Sequence, residues 1–136
     1  MSEKSFTLTI VTPEREVFRG QVVSVVAPGS EGSFGVLAHH APLISGIEVG
    51  VLSFRLPDGE GALVALGGGF AEVKGNEMTV LVASAEQAGE IDVARAEAAK
   101  QRAERRLAER ETQTDKPRAK LALQRALTRL RVAGEK

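Results

Sequence analysis

The chain of 136 residues has no cysteine, no tryptophan and no tyrosine. Without cysteine there is no disulfide and no thiolate chemistry, and the redox compartment stays undetermined. Without tryptophan or tyrosine there is little from which to build an aromatic stacking platform, so no nucleic-acid partner is expected. No apolar run approaches the roughly 20 residues that span a bilayer. The opening MSEKSFTLTI has neither a long apolar stretch nor a cleavage-like site, so no secretory leader is expected. Histidine is scarce as well. His39 and His40 are adjacent, and adjacent side chains rarely converge on one metal ion. Their plain reading is a loop next to Pro42. The run LGGGFAEVKG lacks the Lys-Ser/Thr ending of a phosphate loop and leads into no helix. It reads as a tight turn or bulge between strands. No set of residues suggests an active site, and an enzyme is not expected.

What is present is unevenly distributed. A hydrophobic fraction of 43% suffices for one modest core. The net charge is zero, yet residues 1–86 carry five Lys/Arg against ten Asp/Glu, and residues 87–136 carry thirteen against eight. Two pieces of opposite charge either attract each other or leave a basic piece for an acidic partner.

The composition divides at the same place. Twelve of the fourteen glycines precede residue 86. They punctuate short Val/Ile/Leu-rich runs such as FTLTIV, VVSVVA, ALVALGGGFAEV and EMTVLVA. Pro28-Gly29, Pro57-Asp58-Gly59 and Gly75-Asn76 are turn signals between the runs. Short strands at this spacing predict an antiparallel sandwich or barrel. In Pro57-Asp58-Gly59 the proline presets φ and the glycine permits positive φ, which makes a hairpin.

Beyond Gly89, Ala, Arg, Glu, Gln and Leu take over, all strong helix formers. One helix is predicted from Asp92, its N-cap, to about Glu111. ETQTDKP breaks it. Thr114 or Asp115 caps a second helix with Pro117 in its first turn, running to about Ala133. Ala119, Ala122, Leu123, Ala126, Leu127, Leu130 and Ala133 form its apolar stripe, facing Ala96, Ala99, Ala103 and Leu107 of the first. Alanine buries little area, so the resulting antiparallel hairpin is expected to be marginal and able to open. The fold class expected is α+β: a flattened antiparallel β-sandwich over 1–86, then a two-helix antiparallel hairpin over 87–136.

The arginines of the hairpin admit two readings. Arg102, Arg105 and Arg106 can form a solvated face paired with Glu97, Glu104 and Glu109. Alternatively, Arg95 and Arg102, seven apart, share a face, as do Arg125 and Arg129, four apart. Closing the hairpin would then gather four guanidiniums that need a counter-anion, for which a polyphosphate suits.

The chain resembles the epsilon subunit of the bacterial F-type ATP synthase over nearly its whole length. The likeness rests on VTPEREVFRGQV, on APGSEGSFGVLAHHAPLISGIEVGVL, on GGGFAEV, and on IDVARAEAAKQRAERRL with ALQRALTRLRV. It implies a non-catalytic subunit of the central stalk that couples proton-driven rotation to ATP synthesis. The sandwich would bind the gamma subunit and rest on the c subunits of the rotor ring, peripheral to the cytoplasmic face of the bacterial cell membrane. Ring contacts would map onto Glu31 and His40; Ser33 stands where the family often has an acidic residue. The helices would form an arm that reaches the alpha and beta subunits and inhibits ATP hydrolysis. Some relatives bind ATP in the folded arm as a regulatory ligand, with no metal required. Their motif corresponds here to Ile91, Asp92, Arg95 and Ala96, and their further contacts to Glu86, Arg102, Arg125 and Arg129. The alternative is a stand-alone ATP-sensing module outside any rotary machine, which would not co-purify with gamma.

Overall fold

The structure is a computed structural model and describes residues 4–109 and 115–134. Ten strands come first: β1 (Phe6–Val11), β2 (Glu16–Val22), β3 (Ser24–Gly29), β4 (Gly32–Leu37), β5 (Leu43–Ile47), β6 (Gly50–Arg55), β7 (Gly61–Leu66), β8 (Gly69–Lys74), β9 (Glu77–Val82) and β10 (Ala85–Gln87). A short 3₁₀ turn (Ala88–Glu90) leads into α1 (Val93–Ala108) and α2 (Lys116–Gly134). The sandwich and the helical pair stand as the composition predicted.

Alternation along each strand sends one face inward. Phe6, Leu8 and Ile10 of β1, Met78, Val80 and Val82 of β9, and Leu52, Val64 and Leu66 of β6 and β7 meet in one core. The strands follow a single path, β10-β7-β6-β3-β5-β8-β9-β1-β2, with β4 branching from β3. The seam between the two halves is β3. Its start pairs with β6 (Val25 opposite Phe54), while its last residue, Gly29, pairs with Ile47 of β5.

Two hairpins follow the turn chemistry. Gly59 has φ +96°, and Asp58 accepts from the Glu60 amide at 2.8 Å. Gly75 and Asn76 both have positive φ, as a type I′ turn between β8 and β9 requires. Pro28-Gly29 behaves otherwise and belongs to β3; the turn is Ser30-Glu31, closed by Gly32 at φ +117°. A proline fits there because β6 has ceased pairing with β3 after Val26, so no ladder bond needs its missing N–H.

The glycine triplet lies where the chain crosses between the halves. Gly67 donates to Ser84 O at 2.8 Å, and Ala83 donates to Gly68 O at 2.9 Å, so two crossings run side by side. A Cβ on Gly69 would stand 2.1 Å from Leu81 O, which only glycine avoids. Gly69→Ala is therefore expected to destabilise the fold by about 3 kcal/mol, and Gly35→Ala, whose nearest neighbour would be 3.8 Å away, far less. Thermal unfolding of the two variants checks this; equal melting temperatures would refute the crossing as a point of close approach.

In the helices, Asp92 caps α1, its Oδ1 accepting from the Arg95 amide at 3.0 Å. Asp115 caps α2 in the same way through the Arg118 amide at 3.0 Å. Thr114 and the expected helix end at Glu111 lie outside the described residues. α1 ends at Ala108, and Lys116 Nζ donates to the carbonyls of Arg106 (3.0 Å), Leu107 (2.9 Å) and Glu109. That cation satisfies acceptors left open at a helix C-terminus.

The buried residues of the hairpin are Ala96 and Ala103 on α1, and Ala119, Ala126 and Val132 on α2. The arm lies folded against the sandwich, mainly through α2 on β6 and β7. Its anchor is Val132, 0% exposed, packed with Ala65 and Ile91. The expected stripe is only partly covered: its Ala119 and Ala126 are buried but Leu127 remains 45% exposed, while Val132, outside that stripe, is fully buried. The reason is geometric. α2 touches α1 through alanines on one side and the sheet through Val132 on another, so the leucine edge of the stripe meets neither fully.

Candidate functional site

Asp92 sits at the corner where the 3₁₀ turn meets α1, close to the end of β10. This corner is held by a doubly used carboxylate. Glu90 accepts from the Gln87 amide at 2.9 Å and pairs with Arg15 of the β1–β2 connection at 2.6 Å. Gln87 Nε2 also donates to Val17 O at 3.1 Å. The start of α1 is thus tied to the sandwich by three polar links.

Beside this corner lies a cleft of about 400 Å³, lined by Glu86, Glu90, Asp92, Arg95, Ala96, Ala99, Arg102 and Arg129. Three carboxylates and three guanidiniums share it. The contributors come from β10, the connecting turn, α1 and α2, so the cleft exists in this form only while the arm is folded. Arg95 and Arg102 stand two helical turns apart, roughly 10 Å along the axis. Between them Ala96 and Ala99 leave the floor low. Arg129 reaches across from α2, and its Nε donates to a Glu86 oxygen. Both side chains are partly exposed, at 33% and 30%. Arg95 and Arg102 have no side-chain ion pair among the described residues.

Six of the eight residues anticipated for a nucleotide line this cleft. Ile91 does not; it is buried against Ala65 and Val132, where it fastens the arm to the sheet. Arg125 stands one turn ahead of Arg129 and borders a minor recess with Ser84 and Thr128. Glu90 and Ala99 were not anticipated. Glu90 had one legible signal, an acidic residue three positions after Gln87, as in a capping box.

The other residues singled out lie elsewhere. Glu31 occupies the β3–β4 turn, and His40 the loop after β4, so they flank the two ends of one strand. His40 Nδ1 donates to Ala41 O at 2.7 Å. His39, at φ +62°, donates its backbone amide to Asn76 Oδ1 at 2.8 Å. No cluster of three metal-ligating side chains occurs among the described residues. No helix among them is long and apolar enough to cross a membrane. On the outer face of β5, β8 and β9, Ile44 (71% exposed), Phe70 and Leu81 form an apolar patch.

A β-sandwich followed by a folded helical pair, with a charged cleft at their junction, defines a two-part α+β class of protein. Residues 5–88 match the family model of the ATP synthase Delta/Epsilon chain beta-sandwich domain, and residues 90–134 that of its long alpha-helix domain. The chain belongs to the ATP synthase epsilon-chain family, whose members are subunits of the complex and not themselves the catalyst. It is 53% identical over 133 residues to the ATP synthase epsilon chain of Syntrophobacter fumaroxidans, covering 98% of each chain. It is 53% identical over 135 residues to that of Pelotomaculum thermopropionicum, covering 99% of this chain and 100% of the relative. A chain in the cryo-EM structure of the Euglena gracilis mitochondrial ATP synthase has the same fold, with a TM-score of 0.82 at 20% identity, over 99% of this chain and 84% of that one.

Proposed function

We propose that this protein is a central-stalk subunit of a proton-translocating bacterial F-type ATP synthase, with an arm that inhibits ATP hydrolysis and is held down by ATP. The observation that carries this reading is the cleft of Asp92, Arg95, Arg102 and Arg129, assembled from sandwich, turn and both helices. The guanidiniums suit the triphosphate, offering charge-assisted forked hydrogen bonds. The carboxylates of Asp92 and Glu86 suit hydroxyl or amino donors of the nucleoside. A ligand that binds only the folded arm stabilises it by RT ln(1 + [L]/Kd), about 2.7 kcal/mol at a hundredfold excess over Kd. The seat of the arm is of comparable size: one fully buried valine is worth roughly 1.5–3 kcal/mol, and alanines add little. Scarce ATP therefore releases the arm toward the alpha and beta subunits, where its basic residues meet an acidic surface.

The sandwich serves as the fixed part. The patch of Ile44, Phe70 and Leu81 suits the gamma subunit, and strand β4, with Glu31 and His40 at its ends, suits the c subunits of the rotor ring. The subunit would then stand at the cytoplasmic face of the membrane without entering it.

Removing residues 88–136 tests the assignment of inhibition to the arm. The truncated complex is expected to assemble with gamma and to hydrolyse ATP several-fold faster than the intact complex at low ATP. Unchanged hydrolysis under conditions where the intact complex is inhibited would overturn it. Failure to co-purify with gamma at full length would instead favour a stand-alone sensor.

A further inference from the structure

A second cleft is larger than the one beside Asp92. It measures about 770 Å³ and runs between the two helices toward their connection, over Ala99, Ala103, Ala119 and Ala122. Its cations are Arg102, Arg106 and Arg118. All three are exposed, and none has a side-chain ion pair among the described residues. Arg102 and Ala99 also line the cleft beside Asp92, so the two clefts adjoin there.

We infer that this interhelical groove binds a linear polyphosphate chain, longer than a triphosphate, through Arg102, Arg106 and Arg118. Such a chain is either inorganic polyphosphate or the tail of a nucleotide with more than three phosphates. The spacing supports a chain over a single anion. Arg95, Arg102 and Arg106 lie on one face of α1 across about 16 Å of helix axis, and Arg118 faces them from α2. The alanine floor gives an unbranched chain room to lie flat. Two features lower the electrostatic resistance at the far end. The C-terminus of α1 would repel an anion, but Lys116 already caps its carbonyls. The N-terminus of α2, by contrast, presents the favourable end of its dipole to the groove. Glu109 and Asp115 also line it there. Asp115 is engaged as the cap of α2 through the Arg118 amide, and the two carboxylates set the limit beyond which the chain does not extend. The inference goes beyond the ATP reading; the two share Arg102 and Ala99 as lining, with Arg95 on the same face of α1.

Calorimetric titration of the full chain tests it with two series: tripolyphosphate, tetrapolyphosphate and a longer inorganic chain; then ATP and adenosine tetraphosphate. Affinity is expected to rise at least tenfold from three phosphates to four. In the double variant Arg106→Gln with Arg118→Gln the rise should shrink to below twofold. Arg105→Gln with Lys120→Gln removes the same charge from residues that line neither cleft, and should keep it. All four positions are exposed, and circular dichroism verifies that helicity is retained. No rise with chain length, a rise that survives in the double variant, or equal binding of polyglutamate would each overturn the inference. If the inorganic series rises and depends on Arg106 and Arg118 while neither nucleotide binds, the groove stands and the ATP reading fails. If ATP binds without any rise, the ATP reading stands and the groove fails.

Discussion

Arg129→Ala is expected to weaken ATP binding by the isolated subunit at least tenfold, about 1.4 kcal/mol. Arg129 is the one α2 side chain lining the cleft among the described residues, so it joins the second helix to the site. Its loss removes a charge-assisted hydrogen bond, worth roughly 1.5–3 kcal/mol. It also leaves Glu86, its present partner, beside an incoming triphosphate without a counter-charge. Arg95→Ala should have a comparable effect through the α1 wall. Lysine at either position should restore only part of the affinity, because an ammonium lacks the planar fork. Calorimetry at millimolar ATP measures all four variants. Wild type giving no heat, or both alanine variants binding as wild type does, would make these arginines a solvated face.

Val132→Asp is expected to unseat the arm while sparing the sandwich. Val132 is fully buried and packs with Ile91 and Ala65, whereas the helices hold each other through alanines. A carboxylate there has no partner, and an unpaired buried charge costs several kcal/mol, more than the valine contributes by burial. The core of β1, β6, β7 and β9 is separate from this cluster, so the main thermal transition should move little. Hydrogen exchange should accelerate across α1 and α2 by more than a hundredfold relative to wild type. In the assembled complex, hydrolysis should stay inhibited even at ATP concentrations that relieve the wild type. Exchange protection equal to wild type would show that the seat of the arm lies elsewhere.

These expectations divide along what local chemistry makes legible. Turns that demand positive φ, at Gly59 and at Gly75-Asn76, announce themselves through residue type. So do caps such as Asp92 and Asp115, which need only a short acceptor side chain ahead of a helical run. Pro28-Gly29 misleads because its meaning depends on where β6 stops pairing, a non-local fact. The rotation of α2 is similarly non-local: the stripe through Leu123, Leu127 and Leu130 is plain in the sequence, yet docking engages Val132. In the cleft, Arg95 and Arg102 could be paired by their spacing on one helix. Closure of the hairpin predicts both Arg125 and Arg129 beside them; that Arg129 lines the cleft while Arg125 stands one turn away follows from how α2 sits on β7 and β10. The groove of Arg106 and Arg118 had no local signal at all, since its two walls belong to different helices.

The placement of β1 bears on how the molecule reaches this state. β1 pairs antiparallel with its neighbour β2, but on its other side it runs parallel to β9, with Thr7 opposite Glu77. Contacts between residues so distant in sequence are closed late and slowly, because a long loop must be ordered before they form. The two helices, joined by a short connection, involve mostly local contacts and form on a faster timescale. The surface that receives Val132 is carried by β6 and β7, a sequence-local hairpin at the other end of the strand path, so the seat of the arm does not wait for β1 to close on β9.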